Sequence, residues 1–140
     1  MSRLDAYFVA VVFAHLVAVL VHTAAHLGLQ IVPPPPDIAF ILGVILIGPV
    51  ATLPILRFSQ PLASGVLAVL MVAAFAYGFL SHFVIAGPDQ VSIVASDPWT
   101  FVFAVTAVTI GMIEILGVGV AVILFRRATR NPWESRGRRG

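Results

Sequence analysis

Polar residues are so sparse along this chain that they act as punctuation between four long apolar runs. The first extends from about Leu4 to Val32 and meets Pro33-Pro34-Pro35-Pro36-Asp37. The second runs from about Ile38 to Leu56 and closes at Arg57; the third runs from about Leu62 to Ala86 and closes at Gly87-Pro88-Asp89. The fourth runs from about Trp99 to Phe125, before Arg126-Arg127. Proline lacks an N–H and clashes with the preceding turn, so the tetraproline predicts a stop for the first helix. At about 1.5 Å per residue, each run of roughly 19–29 residues is long enough for a hydrocarbon core of about 30 Å. Barrel strands would be about 10 residues long and alternate in polarity. These runs are longer and apolar on every face, and helices satisfy their own backbone in lipid. The pattern predicts an all-α fold: a four-transmembrane-helix bundle over residues 1–126 (spans about 4–32, 38–56, 62–86 and 99–125), with a basic cytoplasmic tail at 127–140.

The ends of the runs set a direction. Arg3, Arg57 and the arginines from Arg126 to Arg139 fall on one side, while the other side carries Asp37, Asp89 and Asp97 and no arginine. Positive residues stay cytoplasmic. The expectation is therefore N-in and C-in, with the two Asp-bearing loops outside, in a bacterial inner (cytoplasmic) membrane. Asp97-Pro98 reads as a helix start, with Asp as the cap and Pro in the first turn. Trp99 suits the outer interface and Trp133 the inner one. Pro49 and Pro54 fall inside the second span and predict a kink there. The first run is too long for a signal-peptide core and continues through His22 and His26, so it reads as a retained helix.

Composition sharpens the membrane reading. Of 140 residues, 60% are hydrophobic and 10% charged, with a mean hydropathy of +1.06. Soluble domains carry about one quarter charged residues. Cysteine is absent, which removes disulfides, thiolate metal sites, iron–sulfur clusters and cysteine nucleophiles. All eight basic residues are arginine, and most lie in the tail, so the pI near 9.9 is a local property. That distribution offers no nucleic-acid-binding face and suits contact between the tail and anionic lipid headgroups.

The chemistry left to the chain sits in its spans. All four histidines (His15, His22, His26 and His82) and Glu114 fall inside apolar runs, where ionisable groups are costly and usually functional. At about 100° per residue, His22 lies about 20° behind His15 and His26 about 20° ahead of it, one stripe that should face the bundle interior. Heights counted from the inner helix ends place His22 at about 27 Å, His26 at about 33 Å and His82 at about 30 Å. His22 and His26 also have the i, i+4 spacing by which one helix chelates one metal. A metal site of His22, His26 and His82 follows, with water, Gln30 or Asp89 as a possible fourth ligand. Three imidazoles suit Cu, Zn or Fe without choosing among them. Haem between His82 and His22 or His26 is a second reading. A third is purely structural or protonic, because buried histidines also bond across helices to Ser, Thr or carbonyls. His15 and Glu114 both stand at about 17 Å, near the midplane, and pairing would relieve the cost of a lone carboxylate. Such a pair serves either as an interhelical clasp or as the start of a proton relay. Gly111 and Gly117 beside Glu114 permit close helix approach.

The segments His22-Thr23-Ala24-Ala25-His26-Leu27-Gly28 and His82-Phe83-Val84-Ile85-Ala86-Gly87-Pro88-Asp89 resemble parts of small, uncharacterised bacterial four-helix integral membrane proteins. The resemblance implies a fold and no activity. The functional expectation is a small membrane protein with a histidine-built metal or haem site near the outer face, serving metal handling or electron transfer. The alternatives are a cofactor-free accessory subunit of a larger membrane complex and a proton-coupled carrier acting as a homo-oligomer. An enzyme that activates water or oxygen at three histidines is a further option.

Overall fold

The computed structural model describes residues 3–92, 94 and 97–130. They form four helices: α1 (Arg3–Gly28), α2 (Pro35–Phe58), α3 (Gln60–Val84) and α4 (Pro98–Arg130), each long and apolar enough to cross a membrane. The expectations for Trp133 and the arginines of residues 131–140 lie outside the described residues. The fold is all-helical, and its surface points to a multi-pass membrane protein. Phe58, Val69, Phe101, Met112 and Leu116 stand outward, each more than half exposed. An outer face this apolar suits lipid and not water.

The buried positions explain the packing. On α1 they are Phe8, Val12, His15, Val19, His22 and Ala25; on α4 they are Phe103, Ala107, Glu114, Gly117, Ala121 and Leu124. The α1 set steps by threes and fours, and the α4 set by threes, fours and one step of seven, the spacing of a bundle seam. Small residues let backbones approach where no hydrophobic effect drives association. Gly117 shows this most clearly: a Cβ there would lie 3.1 Å from Val11 and 3.2 Å from Met71. α4 packs most extensively on α3 and α1, and α2 lies along α3. Contacts at Gly117–Val11, Glu114–His15, Thr106–His22 and Trp99–Gly28 give α1 and α4 an antiparallel register. At the arginine-bearing end, Gln60 Nε2 donates to Asp5 Oδ1 at 2.7 Å and ties α3 to α1.

Several boundaries differ from the sequence expectation. α1 stops at Gly28, four residues before Val32, and the prolines do not stop it. Gln30 takes a left-handed φ of 57°, Gln30 N–H bonds to Leu27 O, and Ile31 N–H bonds to His26 O. That is a Schellman ending, which closes a helix with its own carbonyls. Pro35 and Pro36 instead open α2, whose first turn begins after extended Pro34. Proline costs nothing there, because the first N–H groups of a helix are unpaired anyway. Near Pro49 the backbone answers with a widened π stretch at Ile41–Ile47, and Gly48 N–H bonds to Gly43 O. Such stretches absorb a residue that cannot complete the regular ladder. α3 also ends in a π turn, Leu80–Val84, which carries His82. α4 starts at Pro98, where Trp99 N–H bonds to the Asp97 carboxylate at 2.8 Å. It continues to Arg130, five residues past Phe125, so the first part of the basic tail is helical.

Candidate metal centre

Two layers of polar side chains interrupt the apolar interior. In the inner layer, His15 Nε2 lies 3.2 Å from Glu114 Oε1, and both residues are almost fully buried. Each occupies a seam position on its helix, so the heptad spacing that packs α1 on α4 also forces the two groups together. Beyond this pair lies an apolar layer of Val19, Ile45 and Ala74, with Ile110 packed against it. Its buried members carry no polar side-chain atom, and Tyr77, partly buried, packs against it.

That second layer unites His22, His26 and His82. One ligand nitrogen from each lies within 4.8 Å of the others. His22 Nε2 is 3.2 Å from His82 Nε2 and 3.1 Å from His26 Nε2. α1 supplies two of the rings, one turn apart, and the π turn of α3 supplies the third. His22 is buried at the seam, while His26 sits in the last turn of α1, where its own carbonyl anchors the Schellman ending.

The other ring nitrogens fix the proton on two of the rings. The Thr106 hydroxyl donates to Val102 O at 2.6 Å, so it accepts from His22 Nδ1–H at 2.8 Å. The Asp89 carbonyl, an acceptor only, takes the His82 Nδ1–H at 2.9 Å. His26 Nδ1 faces Asp89 Oδ1 at 3.7 Å, beyond hydrogen-bond length, and neither atom has a hydrogen-bond partner among the described residues. Every Nδ1 thus faces an oxygen, and the Nε2 atoms of His26 and His82 both approach that of His22. This is the outer support that metal-ligating histidines characteristically have. Phe103 walls the cluster, with its ring centre 4.9 Å from His22, 5.0 Å from His26 and 5.2 Å from His82. Trp99 lies over Gly28, where a Cβ would come within 2.5 Å of the indole.

The donor set fits a metal ion. Ligands on a tetrahedral centre at 2.0–2.1 Å stand about 3.3–3.4 Å apart, close to the two short Nε2 separations. Haem fits poorly: two axial imidazoles stand about 4 Å apart across an iron, twice a metal–nitrogen bond, with a macrocycle between them. Here His22 and His82 are 3.2 Å apart with no width for a ring. Asp89 departs from its expected place as a fourth ligand. Its carboxylate lies at His26 Nδ1, on the ring edge away from the converging nitrogens. Gln30 is exposed at the Schellman turn. The sequence reading omitted Thr106 and Phe103. Phe103 had a signal, since eleven residues before Glu114 is about 20° from it on α4.

Compared with protein-family models, with curated proteins and with solved structures, the chain matches none.

Proposed function

We propose that this chain is a multi-pass membrane protein that holds a transition-metal ion between His22, His26 and His82, at the end of the bundle bearing Asp37, Asp89 and Asp97. The supporting observation is the commitment of the nitrogens. His22 Nε2 lies 3.2 Å from His82 Nε2 and 3.1 Å from His26 Nε2, while the Nδ1 atoms of all three rings face oxygen. A cation among these nitrogens would draw on all three rings at once, and imidazole nitrogen is a good ligand for Cu, Zn or Fe. Three protein ligands leave room for exchange, as in sites that act on or pass on a ligand, whereas structural sites close with four. Metal handling or electron transfer is the role this supports.

In this reading the arginine-bearing end is cytoplasmic, following the positive-inside rule, and the metal centre faces the outer side. Exposed Arg126, Arg127 and Arg130 would then meet anionic headgroups.

The test is elemental analysis of protein purified in mild detergent, followed by titration with Zn(II), Cu(I) and Co(II). His22→Ala, His26→Ala and His82→Ala should each lower bound metal to a similar extent, and His15→Ala should spare it. Protein that retains no ion, with the three variants indistinguishable from the parent, would leave the cluster as a hydrogen-bonded clasp.

A further inference from the structure

The metal reading above leaves the charge of the ion open, and the surroundings of the cluster address it. Three neutral imidazoles contribute no charge. Among the described residues, the one carboxylate within ion-pair reach of these rings is Asp89, at 3.7 Å from His26 Nδ1. The other nearby oxygens, Thr106 Oγ1 and the Asp89 carbonyl, are neutral. The arginines lie elsewhere: Arg3 opens α1, Arg57 closes α2, and Arg126, Arg127 and Arg130 end α4. Asp89 is therefore the one negative charge in direct reach of the cluster; Glu114 acts on His82 from farther away and is paired with His15.

Uncompensated charge is expensive in a medium of low dielectric. A divalent ion would leave a net charge of +1 and would need an anion as its fourth ligand. Among the described residues no side chain supplies one: the chain has no cysteine, and Asp89 points at the far edge of the His26 ring. The buried Phe103 ring contacts all three imidazoles and gives a solvent-derived anion an apolar neighbour with no hydrogen-bond donor. A monovalent ion meets neither difficulty. Its single charge cancels that of Asp89, and imidazole is a suitable ligand for copper.

We infer that the His22–His26–His82 centre is built for monovalent copper, Cu(I), bound by three nitrogens, with Asp89 as the group that sets its charge preference. This inference rests on the metal-centre reading. Asp89 acts through the His26 ring and is a positioning and charge-compensating residue, not a ligand.

The experiment uses the full chain in detergent under anaerobic conditions. Cu(I), supplied as its acetonitrile complex, and Zn(II) are each titrated against a chromophoric competitor, and X-ray absorption of the loaded protein counts the ligands. The expected result is one Cu(I) per chain, held more tightly than Zn(II), with three nitrogen scatterers and no oxygen. Asp89→Asn should weaken Cu(I) by about tenfold or more and Zn(II) by about the square of that factor, because Coulomb energy scales with ion charge. A merely structural role would weaken both ions equally, and Asp89→Glu should restore much of the loss. Tighter binding of Zn(II) with a solvent oxygen as fourth ligand, or equal losses for both ions in Asp89→Asn, would overturn the charge inference and leave the metal centre standing. Binding of neither ion would overturn both.

Discussion

Thr106→Val tests the nitrogen geometry without touching a ligand. Valine has nearly the shape of threonine, so the substitution removes the Oγ1 that accepts from His22 Nδ1–H at 2.8 Å and changes little else. Two consequences have separable magnitudes. In the metal-free protein a buried N–H loses its acceptor, which costs about 1–3 kcal/mol of bundle stability. In the metal-bound protein His22 also loses the partner that holds its ring in the Nδ1–H form. Loss of such an outer partner lowers metal affinity about 10–100-fold, or about 1.4–2.7 kcal/mol.

The assay is competition against a chromophoric chelator in detergent, beside thermal unfolding of metal-free and metal-loaded protein. Thr106→Ser should recover most of the affinity, because it keeps the hydroxyl. If Thr106→Val destabilises the metal-free bundle but leaves affinity within twofold of the parent, His22 is not a ligand held by Thr106. His22 would then owe its orientation to something other than the Thr106 hydroxyl.

Three further expectations follow from the same structure. Bound metal should fall away on acidification, because protons compete for the ligating nitrogens, and its loss should be steeper than one proton per ion; a one-proton dependence in a pH titration would show that fewer than three imidazoles bind. His15→Leu should cost about 3–5 kcal/mol by stranding Glu114 in the interior, while the double change with Glu114→Leu should recover most of it, as read by unfolding in detergent; additive losses would mean that the 3.2 Å contact is not energetically coupled. Single cysteines at Pro36 and Gly87 should react with an impermeant thiol reagent on intact cells while one at Ser59 is protected, and the opposite pattern would invert the topology.

The apolar runs made four helices legible because long uninterrupted hydrophobicity has few structural solutions. Their ends were less legible. Tetraproline reads as a stop by its missing N–H, yet the same property lets it open the next helix, and only the backbone shows which end it serves. The Schellman ending of α1 carried no glycine at its left-handed position; Gln30 fills it, against the usual preference. The polar pairs were readable for a different reason. His15 and Glu114 share a depth and a seam, and the periodicity that buries one also buries the other. His82 belonged with His22 and His26 by height alone, although its helix ends in a π turn that regular geometry does not anticipate.

The features that turn three neighbouring histidines into a candidate centre were not in the spacing. Ring direction depends on acceptors that arrive from elsewhere: a hydroxyl on α4, and the carbonyl and carboxylate of a loop residue seven positions after His82. Thr106 has its only proton occupied by Val102 O, which makes it an acceptor for His22. Periodicity can place an imidazole at a depth and on a face. It cannot say which nitrogen points inward, because that is decided by the hydrogen-bond partners other elements bring to each ring. In this chain a single loop residue, Asp89, supplies that bond to one ring and a negative charge beside another. The α3–α4 connection is therefore part of the candidate centre, and changes there should reach the metal without altering any histidine.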